Sequence, residues 1–140
     1  MSKQRPRLFV AALIAKPDPL RILLTRHQGS RRWHFPDGEM RFGETIAETV
    51  RRSLDEDLRV IPAEIINEHY CIPIETINLA KKTHIVTLHF GVRLSIGLQI
   101  KPRKGIEVYW QPIDPHCHSN KFPLLSSTAE VLRRLEEENK

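Results

Sequence analysis

The chain is poor in cysteine. Cys71 and Cys117 are the only two, and they have neither the pairing of a disulfide framework nor the spacing of a zinc site. Both are expected as free thiols in a reducing compartment. A long apolar run is also missing, since nothing approaches the roughly 20 residues that a membrane helix needs. The basic segment Met1–Arg7 followed by apolar Leu8–Ala15 (LFVAALIA) does resemble the opening of a signal peptide. That run is at the low limit for such a role, and Lys16-Pro17-Asp18-Pro19 stands where a cleavage site would be. A buried strand ending in a Pro-Asp-Pro turn accounts for the same residues, so a cytoplasmic protein with no membrane segment is expected. No internal repeat or low-complexity tract interrupts the sequence. Neither sign of charge dominates: 22 Lys and Arg against 17 Asp and Glu give a net charge of +5. This mild excess favours anionic partners such as nucleotides, sugar nucleotides or nucleic acid, and decides no more. At 140 residues, 40% hydrophobic and 28% charged, the chain suits one globular domain, 1–140, and is too short for two.

The most informative stretch is Gly38–Val60, GEMRFGETIAETVRRSLDEDLRV. Trp33-His34-Phe35-Pro36-Asp37 leads into it like a short strand that stops at a Pro-Asp-Gly turn. Ile46, Ala47, Val50, Leu54 and Leu58 recur at helical spacing and predict one buried stripe. At about 100° per residue, Thr49, Ser53, Glu56 and Asp57 fall on an adjacent edge. Glu48–Arg52 and Arg52–Glu56 are opposite-charge pairs at i,i+4, each contributing about 0.3 kcal/mol. Gly43-Glu44-Thr45 begins the helix, where early acids suit the positive end of its dipole. Neighbouring carboxylates on a half-buried edge repel each other unless a hard cation sits between them, and Mg²⁺ is content with one or two carboxylates plus substrate phosphates. An acidic run on an amphipathic helix is otherwise just a solvated face.

The spacing Gly38, Glu44, Arg52, Leu54, Glu56, Val60 resembles the Nudix box, G-x5-E-x7-R-E-U-x-E-E-x-G-U with U bulky and apolar. Asp57 is a conservative replacement. Ser53 stands where the family has glutamate, and Arg59 where it has glycine. Tyr109-Trp110-Gln111-Pro112-Ile113 is similar to the W-x-P-U segment that precedes the last helix in Nudix proteins, so the likeness spans nearly the whole chain. The resemblance implies an α/β/α sandwich with a mixed sheet, and an enzyme that cleaves a nucleoside diphosphate linked to another group. It implies Mg²⁺, or Mn²⁺ in its place, held by Glu56, Asp57 and the Gly38 carbonyl, with Glu44 orienting and Arg52 tying loop and helix acids together. Pairing as a homodimer is also common among such folds.

The rest of the chain predicts a hairpin of Leu8–Ala15 and Leu20–Arg26, then a basic loop whose Arg26, Arg31 and Arg32, with Trp33, lie near the substrate in Nudix-like folds. Solvated loop arginines explain that loop as well. A strand over 63–74, a polar connection over 75–82 and an alternating strand Thr83–Ser95 follow. A basic turn at 101–105, a strand Ile106–Ile113 and a helix Ser126–Glu138 capped by Ser127 or Thr128 complete the reading.

Ser53 removes a carboxylate that the family uses as metal ligand or base, so three functions stay open. A reduced site could recruit its base elsewhere, with Glu107, His116 and His118 as candidates. Thr83-His84-Ile85-Val86-Thr87-Leu88-His89-Phe90 resembles the T-H-x-V-x-L-x-F strand of GDP-mannose glycosyl hydrolases. That Nudix branch also lacks the glutamate at the Ser53 position, and cleaves the sugar–oxygen bond with one Mg²⁺ and a late-loop histidine. Glu56 and Arg59 depart from that branch. The second function is ordinary nucleotide pyrophosphohydrolysis with Glu56 and Asp57. The third is binding without cleavage, of a nucleotide or RNA, on a surface made from residues 31–32 and 101–104 with Trp33 and Tyr109.

Overall fold

The computed structural model describes residues 5–17, 19–66, 71–95, 99–113 and 124–138. Its elements are β1 (Arg7–Leu13), β2 (Ala15–Lys16), β3 (Arg21–His27), β4 (Asp37–Glu39), α1 (Ile46–Leu58), β5 (Pro62–Ile66), β6 (Ile72–Asn78), β7 (Thr83–Leu94), β8 (Ile106–Pro112) and α2 (Ser126–Glu138). Five strands form a mixed sheet in the order β4-β1-β7-β5, with β6 also on β7. Only β1 and β7 run parallel in it. The second sheet is antiparallel, β2-β3-β8.

The long apolar run of β1 is explained by burial on both faces, as expected of a strand between two layers. Val10 and Ala12 join Val50, Leu54 and Leu58 of α1, together with Phe90 and Val92. Ala11 points the other way and packs with Ile22, Leu24, Phe35 and Ile72 against Val131 and Leu132 of α2. The alternation read along β7 follows the same division: Leu88 and Phe90 reach the α1 core, whereas Ile85 and Thr87 face the α2 side, where they line a cavity with Ser127.

Several boundaries differ from the sequence expectation. Leu8–Ala15 and Leu20–Arg26 do not pair with each other, because the chain changes sheets at Ile14. Only the two residues of β2 pair with β3, while β1 takes β4 and β7 as neighbours. The single strand expected over 63–74 is two strands, β5 and β6, laid successively along the same edge of β7. β6 continues to Asn78, so most of the expected polar connection is strand, and Leu79–Lys82 alone makes the turn. Trp33 and His34 form isolated bridges to Leu124 and Thr25 rather than a strand. Ser127 and Thr128 are buried in the first turn of α2 instead of capping it, and the Leu125 carbonyl accepts from Ala129 N–H at 2.9 Å.

α1 begins at a capping box: Thr45 and Glu48 exchange side-chain to backbone hydrogen bonds, both 3.1 Å. Glu48 is used there, so it does not pair with Arg52. Ala47 is exposed, and Thr49 and Ser53 are buried in addition to the apolar stripe. The helix is therefore turned so that its small polar side faces β4. At the other end Arg59 adopts φ 55°, the left-handed conformation in which glycine is normally found. Its N–H donates to Asp55, and Val60 N–H reaches the Leu54 carbonyl. The basic turn closes the helix too: Lys101 and Arg103 N–H groups donate to the Leu58 and Asp57 carbonyls at 2.9 and 2.8 Å. Holding a side chain at that φ costs about 1 kcal/mol. Arg59→Gly is accordingly expected to raise stability by about 1 kcal/mol, read as a higher urea midpoint at unchanged slope; an unchanged or lower midpoint would contradict this account of the helix end.

Candidate functional site

The site is organised by Arg52. Its Nε donates to Glu44 Oε2 at 2.6 Å and its Nη2 to Glu44 Oε1 at 3.0 Å and to the Glu39 carbonyl at 2.7 Å. Nη1 lies 3.6 Å from Glu56 Oε2. One guanidinium thus joins the loop after β4 to both ends of α1. Glu44 also accepts from Arg41 N–H and from Thr49 Oγ1, each at 3.0 Å. Its carboxyl titrates at about 2, held down first by Arg52 and then by the Arg41 amide. With its lone pairs so engaged, Glu44 braces the loop and has little capacity left for a ligand.

Ser53 is buried, 6% exposed, and its hydroxyl donates to the Val50 carbonyl at 3.1 Å. It packs directly on Gly38: a Cβ at Gly38 would stand 2.6 Å from Ser53 Cβ. One turn further along α1, Glu56 is 53% exposed and also lies 4.0 Å from Arg41. The Asp57 carboxylate, 22% exposed, meets Arg103 Nη2 at 3.1 Å.

Asp37, His34 and His27 form a polar group beside these residues that sequence reasoning did not single out. His34 Nδ1 donates to the Phe35 carbonyl at 2.7 Å and stands 3.9 Å from Asp37 Oδ1. Its ring stacks on His27 with centroids 5.6 Å apart. Burial pushes the Asp37 carboxyl up, the two histidines pull it down, and Asp57 raises it. The available signal was a charged residue immediately before Gly38; the Pro-Asp-Gly turn expected there is instead the start of strand β4, which pairs with β1.

The other candidates are dispersed. Arg26 Nη2 donates to both Glu107 carboxylate oxygens at 2.9 Å, and its guanidinium lies 4.8 Å from the centre of the Trp33 ring. This pair sits on the β3–β8 ladder, where Arg26 and Glu107 are directly opposed, so Glu107 is engaged there rather than beside Glu56 and Asp57. Trp33 is only 4% exposed and cannot offer a ring face to a base. Arg31 and Arg32 are exposed on the loop. His116 and His118 lie outside the described residues. Among the described residues, no three His, Cys, Asp or Glu side chains converge to hold a metal.

The donor set bears on the ion. Glu56, Asp57 and the Gly38 carbonyl offer only hard oxygens, which suits Mg²⁺, but two carboxylates do not close a cage. They fit an ion that keeps several waters and takes its remaining ligands from substrate phosphates.

Residues 5–135 match the NUDIX domain. The chain belongs to the Nudix family. A search of curated protein sequences found no match. Among solved structures, the chain is similar to the MutT NUDIX hydrolase of Burkholderia pseudomallei, at 20% identity and TM-score 0.74, over 94% of this chain and 98% of that one. It is also similar to the E. coli ORF135 protein, at 18% identity and TM-score 0.75, over 96% and 91% of the two chains. The NUDIX domain of Shewanella oneidensis NrtR, solved with ADP ribose, matches at 19% identity and TM-score 0.71, over 97% and 90%. At these identities the likeness establishes the mixed α/β fold. Nudix hydrolases generally act on nucleoside diphosphate derivatives with divalent metal. No helix among the described residues is long and apolar enough to cross a membrane.

Two predictions follow from this geometry. Because the Glu44 pKa is depressed, its stabilising effect is full above the unfolded value of 4.5 and is lost as pH falls toward about 2. Thermal melting of the native chain should therefore drop through that window more steeply than that of Glu44→Gln; parallel curves would remove the brace from the account. Gly38→Ala is expected to destabilise by about 2 kcal/mol, since Ser53 Cβ has no rotamer by which to retreat, and Gly38→Ala on a Ser53→Gly background should recover most of that loss in denaturant melts.

Proposed function

We propose that this Nudix chain is a Mg²⁺-dependent hydrolase whose substrate is a nucleotide sugar such as GDP-mannose. The observation that carries the proposal is a cavity of about 180 Å³ between the mixed sheet and α2, walled by Phe9, Asp37, Thr76, Ile85, Thr87 and Ser127. Its walls are apolar and hydroxyl groups with a single carboxylate, the pattern of a small-molecule site with few polar anchors. Asp37 and Gly38 are neighbours in the edge strand β4 and face opposite sides of the sheet, so the phosphates of a base held in this cavity would pass around β4 to reach Glu56 and Asp57. In its ionised form the Asp37 carboxylate only accepts hydrogen bonds and would pair with the adjacent N–H donors of guanine, although burial pushes this carboxyl up and so works against that form. The binding of ADP ribose by the Shewanella oneidensis NrtR domain is consistent with a nucleoside diphosphate ligand.

Within this reading Glu56, Asp57 and the Gly38 carbonyl would hold the ion, which would neutralise the diphosphate charge. Arg52 keeps Glu56 and the loop in one geometry. The exposed arginines Arg31 and Arg32 would meet phosphates. Arg26 is already paired with Glu107 and would have to exchange that partner. Ser53 has no capacity to take a proton from water, because a neutral hydroxyl is too weakly basic, and its own proton is donated to the Val50 carbonyl. A histidine, His116 or His118, takes that role.

A second reading rests on a specific observation: Glu56 and Asp57 both face guanidinium groups, and Ser53 is sealed against Gly38. That arrangement also suits a protein that binds a nucleotide without cutting it. The deciding experiment is hydrolysis of nucleotide sugars, dinucleotides and nucleoside triphosphates with Mg²⁺, comparing the native chain with Glu56→Gln. Free sugar plus GDP, reduced roughly a hundredfold in Glu56→Gln, is the expected outcome. Two phosphate-bearing fragments would reassign the bond cleaved to phosphorus. No turnover, with activity appearing in Ser53→Glu, would overturn the hydrolase reading in favour of binding.

A further inference from the structure

A second concavity lies apart from the cavity under α2. It is an open groove of about 700 Å³ between the start of β1, the loop that enters α1 and the start of β7, lined among others by Arg5, Arg7, Arg41, Phe42, Lys82 and His84. A second hollow of about 360 Å³ continues it past Ile77 and Leu79, sharing Arg5, Lys82 and His84. Neither contains Glu56 or Asp57. We propose that this groove binds a single strand of nucleic acid, with a base stacked on Phe42 and phosphates on Arg5, Lys82 and Arg41.

Three observations support this occupant. Phe42 is fully exposed, and it is the largest apolar side chain left so among the described residues. A phenyl ring left in water gains nothing for the fold and is free to stack on a flat partner. The acids in the groove are already neutralised: Glu39 by Arg7 at 2.7 and 2.9 Å, and Glu44 by Arg52 at 2.6 Å. Half-buried His84 is engaged by Glu75 at 2.6 Å. The surplus charge is therefore positive, from Arg5 and Lys82, with Arg41 held only at 4.0 Å from a solvated Glu56. The two hollows share a wall and run on from each other, so the groove is longer than a mononucleotide requires, and exposed Ile77 and Leu79 extend its apolar floor. A cationic track with a protruding aromatic ring is the sequence-tolerant mode of single-strand binding. Trp33 cannot serve in it, being buried. Of the residues 101–104, considered for RNA from sequence, Arg103 is paired with Asp57 at the end of α1, while Lys101 and Lys104 are exposed outside this groove.

The test is fluorescence anisotropy of a 5′-fluorescein uridine 12-mer with the full chain, at salt concentrations from 50 to 200 mM. With three phosphate contacts, the affinity should fall with a log–log slope of about −2. Phe42→Ala should weaken binding about tenfold, and Lys82→Gln should flatten the slope by about 0.7. Both side chains are exposed, and the melting temperatures of the variants establish that each remains folded. Absence of binding at 50 mM salt, or binding that ignores both substitutions, overturns the proposal. So does a labelled Glu- and Leu-rich peptide that binds with the same Phe42 dependence while the 12-mer does not, which would give the groove to a protein partner. Nucleotide-sugar hydrolysis is scored separately, so its failure does not bear on this result.

Discussion

A single guanidinium sets the geometry of this protein's loop–helix unit. Arg52 is largely withdrawn from water, and its guanidinium meets three pieces of chain: it donates to the carbonyl of Glu39 at the end of β4 and to the carboxylate of Glu44 before α1, and it forms an ion pair with Glu56 near the end of that helix. Charge-assisted bonds of this kind are short and strongly directional. They force the loop to fold back over the helix. That places Gly38 on Ser53 and leaves Glu56, in the last turn of α1, open to solvent.

The contact between Gly38 and Ser53 shows how narrowly that placement is specified. β4 runs so close to α1 that a methyl group at position 38 has no room. That close approach explains why the buried side of α1 carries Thr49 and Ser53 rather than larger residues. The same proximity makes the loss of a carboxylate at position 53 consequential. A hydroxyl at that depth satisfies the helix backbone, whereas a carboxylate would have to reach outward toward solvent and ion.

Two faces of one sheet separate two chemistries. On the α1 side lie the acids and arginines suited to phosphate and metal. On the α2 side lies a cavity with Asp37 at its wall, and β4, three residues long, borders both. The groove beside β1 belongs to neither face. It follows from the loop that Arg52 holds in place, since that loop presents Phe42 to water instead of to the core.

Much of this was legible from the chain alone. The register of Gly38, Glu44, Arg52 and Glu56 specified a family and with it the sandwich, because helix periodicity and ion-pair reach are local properties that spacing encodes. The same locality placed the helix start within Gly43-Glu44-Thr45, of which Thr45 is the cap, and the alternating faces of β7. What the sequence could not determine was set by partners distant along the chain. Whether Leu8–Ala15 pairs with Leu20–Arg26 or crosses to another sheet depends on which strand edge is free, and β7 supplied that edge. Trp33 read as a ligand-facing ring, but the packing of α2 buried it. Arg26 and Glu107 read as site residues, yet they oppose each other across a β ladder and answer each other's charge. Asp37 looked like a turn residue and lies on a cavity wall, because α2 returns to cover it. Local rules act through neighbours along the backbone; burial, cavity walls and the pairing of distant charges exist only after the chain has closed on itself.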